Sequence, residues 1–430
     1  MKSLALLKSG NLRMLFSATV LGTVSEIVFG LTSIITLSKS TGSALSIGVL
    51  IMLMTLPSVF LSPFQGVVID RFDKVRLAVW ANLIRAAVIL VTAAAIWLGM
   101  FSLALLYVAI LVYYILWYFL IPNSESLTKE VLLKGQSTAG FALIQGACQI
   151  GVLVSAPMTG LLMDKLGLTV AFAFAASMDF AGAIFYQRIK LAAPAEKPEG
   201  SPALQTREPL ISHLRVYAAE IREGWKYIAR NRQVLLMVLA ASCAHPFFQA
   251  INTLLAPFVL WVLHGEGFAC GLIDGGSGLG SLISAMLCMS LLRPGAINKV
   301  LLASEIMLIL TVVALSLTTS VPAAFVIYVG VGVFAGNMKV LSKSIVLEKV
   351  HRDFTGRVMS AVSLLGLALG VVTCLSAGII ADRNIFYAYG FAASIILLPV
   401  GATLLFLSRR DTVEGKAVVQ LEALGKESMP

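Results

Sequence analysis

Long apolar runs recur along this chain with only short polar gaps between them, and no other feature limits its fold as strongly. A helix that crosses a bilayer takes about 20 apolar residues. Runs of that kind fall near 14–37, 44–69, 77–98, 103–127, 138–163 and 169–189, and again near 234–262, 269–292, 300–318, 322–347, 358–380 and 385–407. Lipid offers backbone groups no partners, so only helices and closed barrels span it. Barrel strands alternate apolar and polar residues over about ten positions. These runs do not alternate, so an all-α polytopic membrane protein with twelve transmembrane helices is expected. Only 13% of the residues are charged, where a soluble domain carries about 25%. That excludes a soluble multidomain protein, a disordered chain and a coiled coil. The run Met14–Leu37 exceeds the 7–15 apolar residues, roughly, of a signal peptide, and reads as the first retained span.

The net charge of +10 suggests a nucleic-acid binder until it is mapped onto these spans. With the N-terminus placed in the cytoplasm, 26 of the 32 Lys and Arg fall in cytoplasmic segments, three on the opposite side and three within spans. Cationic loops stay on the cytoplasmic side, so both termini are expected there and no nucleic-acid partner is. Cys148, Cys243, Cys270, Cys288 and Cys374 all lie in apolar stretches without paired spacing. Neither a disulfide framework nor a metal site is expected.

The long polar gap divides the chain. The expected units are a six-helix bundle over 1–190, a linker over 191–233, a second bundle over 234–408 and a cytoplasmic tail over 409–430. Four prolines between 194 and 209 mark an extended stretch. Residues 210–230 carry Leu210, Leu214, Tyr217, Ile221, Trp225 and Ile228 at helical spacing. That pattern predicts an amphipathic helix on the lipid surface. The two bundles resemble each other at an offset of 218: Ser126 matches Ser344, Glu130 matches Glu348, Gly160 matches Gly378, Asp164 matches Asp382 and Lys165 matches Arg383. With a one-residue gap, Phe174–Ser177 matches Phe391–Ser394. Two such repeats are a transporter plan, with substrate held between the halves near the midplane.

Three stretches carry a family likeness. The loop after the second span runs from Gly66 through Asp70, Arg71, Asp73 and Lys74 to Arg76. The eleventh span opens with Gly356-Arg357-Val358-Met359-Ser360, and the linker contains Glu223-Gly224-Trp225-Lys226-Tyr227-Ile228. In these the sequence resembles the major facilitator superfamily, within it the drug- and metabolite-efflux branch that includes macrolide exporters. The likeness implies proton antiport and a conformational latch in which Gly66, Asp70, Arg71, Lys74, Arg76 and Arg357 stabilise the outward-facing state. An anion near a helix N-terminus is favoured there, and the cations suit lipid phosphate or acids on neighbouring loops. The loop signature is degraded in the second half, at Arg293–Lys299. The antiporter signature of the fifth span survives as Ala156-Pro157-Met158-Thr159-Gly160, with Gly151 one position out of place. Pro157 and Gly160 are expected to weaken that span locally and let backbones approach.

Ionisable groups inside a bilayer are expensive and mark function. Glu26 lies in mid-span between Gly22 and Gly30, on one helix face. A carboxyl that alternates between water and a dry setting can take up and release a proton, so Glu26 is the foremost coupling candidate, with Glu125 and Asp274 beside it. A hydrogen-bonded structural acid is the plainer alternative. Lys339 and Lys343, one turn apart on the tenth span, are candidates to counter an anionic substrate; Lys343 also has Glu125 as a possible ion-pair partner. His245, Gln249 and Asn252 share a face of the seventh span, with Phe248 nearby. Arg85, Asp179 and Glu305 are expected to be structural pairs or interfacial groups. Gly276 and Gly280, inside an apolar span without a following lysine, read as helix packing rather than a nucleotide loop.

No catalytic triad, ATPase motif or metal cluster is visible, so the chain is expected not to be an enzyme and to need no cofactor beyond a proton gradient. The expected function is export of a small organic molecule, a drug-like compound or a metabolite such as a carboxylate siderophore, by rocking of the two halves. Import of a small anionic metabolite on the same fold is the alternative. The expected setting is a bacterial inner (plasma) membrane, as a monomer, with membrane lipids and a small-molecule substrate as partners.

Overall fold

In a computed structural model of the protein, residues 9–132, 137–190, 222–291, 297–350 and 354–405 are described. Among the described residues, twelve helices are long and apolar enough to cross a membrane. They are α1 (Gly10–Thr41), α2 (Ala44–Arg71), α3 (Lys74–Trp97), α4 (Leu103–Val131), α5 (Ser137–Leu166) and α6 (Leu168–Gln187). The second set is α7 (Arg232–Val262), α8 (Gly267–Leu291), α9 (Ile297–Ser316), α10 (Val321–Lys349), α11 (Thr355–Arg383) and α12 (Ile385–Leu405). The chain is therefore a multi-pass, all-helical membrane protein. The expected prolines at 194–209 and the first half of the expected linker helix lie outside the described residues, as does the tail over 409–430.

Local chemistry sets the helix starts. Polar side chains at the N-cap accept from the first free backbone N–H groups. Ser43, Asp73, Ser102, Asn231, Ser320 and Asn384 do so for α2, α3, α4, α7, α10 and α12. Gly42, with φ of 60°, ends α1 in the left-handed conformation that a glycine adopts freely.

Helix α7 is the single span expected, but not a uniform helix. It breaks at Cys243, resumes at Ala244–Pro257 and ends in a π-helical turn, Phe258–Val262. Pro246 and Pro257 supply the cause, since a proline cannot donate to the ladder and crowds the preceding turn. By contrast α4 and α5 run through Pro122 and Pro157 as continuous helices.

Within each half the helices pack as a bundle: α1 on α5 and α6, α3 on α4 and α6, α2 on α4. The second half pairs α7 with α11, α8 and α9 with α10, and α12 with α9 and α11. Helix association in lipid relies on close packing rather than on the hydrophobic effect. The α8–α10 contact shows how: a Cβ on Gly280 would overlap the Val329 carbonyl, and one on Gly332 would overlap that of Ser277. The reading of Gly276 and Gly280 as packing residues agrees with this contact. Large apolar side chains such as Phe60, Val91, Trp97, Leu310 and Leu398 cover the outside, facing where lipid would lie.

The two halves meet through α2 against α11 and α5 against α8. An even number of spans puts both termini on one side, here called the termini side. The inter-half contacts are tightest at the other end, the far side, where α2 and α8 begin and α5 and α11 finish.

Inside the first bundle, Arg85 on α3 pairs with Asp179 on α6 at 3.0 Å, both fully buried. The guanidinium also donates to the Tyr113 hydroxyl and lies 4.2 Å from that ring and 4.8 Å from the Trp117 ring. These groups are structural, as expected. In the second bundle, Asn337 of α10 accepts from Ser284 of α8 at 2.7 Å and donates to Ser304 of α9 at 3.1 Å.

Removing one partner of a buried pair strands the other charge at a cost of about 3–5 kcal/mol, whereas replacing both by apolar groups is close to neutral. Asp179→Ala is therefore expected to lower the unfolding midpoint in detergent strongly, and Arg85→Met with Asp179→Leu to restore most of it. Equal loss in single and double variants would refute this role.

Candidate functional site

A cavity of about 990 Å³ lies between the halves. Glu26, Glu125, Asp274, His245, Phe248, Gln249, Asn252, Lys339 and Lys343 all line it. Nothing in their sequence spacing requires this, because they come from α1, α4, α7, α8 and α10. The lining reaches Glu125, Lys343 and Ser363, each six to eight residues from the termini-side end of its helix. With the far-side ends in contact, the cavity opens toward the termini side.

Helix rise of 1.5 Å per residue orders the charges by depth. Glu125 and Lys343 stand near the mouth, Lys339 about one turn deeper, and Glu26 near the middle of α1. Asp274 is the deepest, seven residues into α8 from the far side. The walls between are apolar and aromatic, with Ile27, Leu31, Met54, Tyr114, Tyr118 and Phe248.

Glu26 is held from α4. The Tyr114 hydroxyl donates to its Oε1 at 2.8 Å. One residue back on each helix, the Tyr113 hydroxyl donates to Ser25 Oγ at 3.3 Å and accepts from Arg85. The adjacent tyrosines thus serve different groups, Tyr114 the cavity carboxyl and Tyr113 the buried ion pair, with their rings 5.4 Å apart. The carboxyl is thus tethered on α1, where Glu26 lines the cavity.

On the opposite wall the Lys339 ammonium lies 5.9 Å from the Phe248 ring centroid, a cation–π distance. Lys343 lines the cavity with Glu125, yet no ion pair joins them among the described residues, so that partnership is not formed in this state. Gln249 does more than line the wall: its amide donates to the Thr55 hydroxyl on α2, across the boundary between the halves. The sequence pattern placed it on the polar face of α7 with His245 and Asn252, and gave no sign of the bridge.

The loop signature behaves differently. Gly66 and Asp70 fall in the last turns of α2, but their side chains lie outside the described residues. Asp73 caps α3, accepting from Arg76 N at 2.7 Å. Lys74 pairs with Glu130 at the end of α4, and Arg76 is exposed. Arg357 pairs with Glu223 of the linker at 2.6 Å. The described signature cations other than Arg71 and Arg76 are thus seen joining elements on the termini side. Residues 222–230 are helical, but their apolar side does not face lipid as expected. Ile228 is buried against Val234, Val350 and Val358, and Tyr227 stacks on Phe354 at 4.4 Å. Pro157 and Gly160 sit in the α5–α8 contact, where the backbones approach as expected, with Gly160 against Gly267 and Phe268; α5 nonetheless runs on as one helix through Pro157.

Tyr114, Tyr118, Thr55 and Ser277 line the cavity without having been singled out from the sequence. Paired tyrosines in an otherwise apolar span were the available signal for the first two.

The sequence over residues 14–373 matches the Major Facilitator Superfamily. The chain belongs to that family. No curated protein matches it in sequence. Among solved structures it is similar to a bacterial homologue of the human lysosomal transporter Spinster, inward-facing and unoccupied. That likeness has a TM-score of 0.65 at 13% identity and covers 95% of this chain and 98% of that one. The same homologue in its occupied form gives 0.66 at 12% identity over 93% and 96%. The nucleoside transporter NupG gives 0.70 at 14% identity over 91% and 99%. At these identities the likeness is one of fold, and the fold is that of a transporter.

Cysteines introduced at Asn252 and Ser363 should react with a membrane-impermeant maleimide applied from the termini side. Cysteine at Val372, on the exposed outer face of α11, should not. Labelling of Asn252→Cys only from the far side would contradict the opening described.

Proposed function

We propose that this protein is a proton-coupled secondary transporter that exports a small organic molecule by alternating access. The observation that carries the reading is the inter-half cavity in which Glu26, tethered by Tyr114, lies with Lys339, Lys343 and His245 in an apolar and aromatic lining. Such a cavity suits an amphiphilic molecule of drug-like size. The two lysines near the open mouth favour one that carries a carboxylate, as a siderophore does. Glu26 takes up a proton from one side and releases it on the other, with Glu125 and Asp274 as the further acids on the path. Export follows from the likeness of the loop and eleventh-span signatures to the efflux branch. The cytoplasm is assigned to the termini side by the excess of Lys and Arg there. In this assignment the structure is the inward-facing state of a bacterial inner-membrane monomer surrounded by lipid.

The incomplete antiporter signature of the fifth span favours a second reading, proton-coupled import of a small anionic metabolite. One experiment separates the two. Proteoliposomes with a trapped pH-sensitive dye and an imposed pH gradient are given amphiphilic drugs and carboxylate siderophores in turn. Antiport predicts proton movement opposite to substrate, falling at least tenfold in Glu26→Gln. Movement in the same direction establishes the importer instead. Unchanged flux in Glu26→Gln removes Glu26 as the coupling acid and leaves Glu125 and Asp274.

A further inference from the structure

Asp164 and Asp382 are repeat mates at the 218 offset, and the function proposed above uses neither. Each stands at the far-side end of a helix in one half and reaches the N-terminus of a helix in the other. Asp382, at the end of α11, accepts from Ala44 N at 2.5 Å, Leu45 N at 3.3 Å and Ser43 Oγ at 2.7 Å, where α2 begins. Asp164, at the end of α5, accepts from Gly267 N at 3.1 Å and Phe268 N at 2.6 Å, where α8 begins. The first N–H groups of a helix have no partner within it, and the helix dipole favours a negative charge at that end. Each carboxylate therefore supplies, from the opposite half, what its partner helix lacks.

The backbone beside each contact is shaped to allow it. One turn before Asp382, a Cβ on Gly378 would stand 2.7 Å from Leu45 Cα and 2.8 Å from the Ala44 carbonyl. One turn before Asp164, a Cβ on Gly160 would overlap Gly267 and Phe268. Deeper along the same helix pairs, the carbonyls of Cys374 and Ala156, again 218 residues apart, meet Gly48 of α2 and Gly271 of α8. The repeat has thus produced two copies of one device: a carboxylate cap and two glycine contacts, one copy on each side of the far-side seam.

We propose that Asp164 and Asp382 are a matched pair of far-side latches that hold the two halves together in the termini-side-open state, and that both caps must be given up for the cavity to open to the far side. Because each half moves as a unit, releasing one latch weakens the seam at both. This inference rests on the contacts between the halves and not on the substrate or the coupling ion.

Two native thiols report on the seam. Cys374 and Cys270 are fully buried, in α11 and α8 where those helices meet α2 and α5. The full-length protein in lipid nanodiscs is treated with N-ethylmaleimide, and alkylation of each cysteine is followed by peptide-resolved mass spectrometry. Loss of a helix cap is expected to shift the balance between states about fivefold. Effects at separated sites multiply, so Asp164→Ala with Asp382→Ala is expected to raise the rate on the order of 20-fold. The decisive expectation is reciprocal. Asp382→Ala speeds alkylation of Cys270 at the other contact as well as of Cys374, and Asp164→Ala speeds both. Asp→Asn at either position, which keeps an accepting oxygen but no charge, gives a smaller rise. Gly378→Ala and Gly160→Ala push the same contacts apart without touching either carboxylate, and are expected to act in the same direction should the double variant not fold. Acceleration confined to the thiol beside the altered residue would show local fraying and overturn the latch. So would unchanged rates at both thiols in variants that elute as the native protein does.

Discussion

The contact of α2 with α11 and of α5 with α8 at the far side is the constraint on which the rest of the structure depends. It closes one end of the space between the halves, and so turns two separate bundles into walls around a one-ended cavity. Helices surrounded by lipid gain little from burying apolar surface against each other. Backbone must instead approach backbone. Gly48, Gly160, Gly271 and Gly378 supply that approach, and Asp164 and Asp382 satisfy the N–H groups that it brings together. The Gln249–Thr55 bridge joins the halves within the cavity lining itself, between the mouth and the deepest residues.

Below the seam, the chemistry divides between anchored and open groups. Arg85, Asp179 and Tyr113 form a buried cluster that fixes α1, α3, α4 and α6 to one another. The next residue outward on α1 and on α4 is a cavity group: Glu26 after Ser25, Tyr114 after Tyr113. A charge network with no access to the cavity thereby sets the position of the carboxyl that has access. The basic groups on the facing wall have no comparable anchor. Lys339 meets a ring face, and Lys343 lines the cavity without an acidic partner among the described residues.

The twelve spans were legible because lipid leaves a backbone few choices. The repeat was legible too, as was the polar face of α7, since helical periodicity brings His245, Gln249 and Asn252 into line. What could not be read were contacts between segments remote in sequence. Asp164 and Asp382 stood out as repeat mates, but nothing in the chain says that each meets the start of a helix in the other half. The tyrosines of the fourth span were visible, but nothing in the chain says that Tyr114 meets Glu26. The break in α7 was signalled by Pro246, yet Pro122 and Pro157 give the same signal and leave their helices continuous. For residues 222–230 of the linker the covering surface was not legible for a related reason: an amphipathic pattern shows that one face must be covered, and does not say whether by lipid or by α10 and α11.

The two ends of the molecule carry unequal commitments in this state. At the far side, carboxylates cross from one half to the other. On the termini side, Lys74 is held by Glu130 within the first half, and Arg357 by Glu223 of the linker. Neither of these pairs crosses the cavity mouth. Closing the mouth requires no far-side bond to form, but opening the far side requires two caps to be lost together. Exposed ion pairs contribute little, about 0–1 kcal/mol each, so Lys74 and Arg357 can exchange partners at small cost. The barrier between the two states then lies at the far side. A substrate that drives the change acts there, and among the described residues the cavity group with a side-chain bond across the halves is Gln249. A ligand that takes the Gln249 amide away from Thr55 removes a link of the seam from within, which connects occupancy of the cavity to release of its closed end.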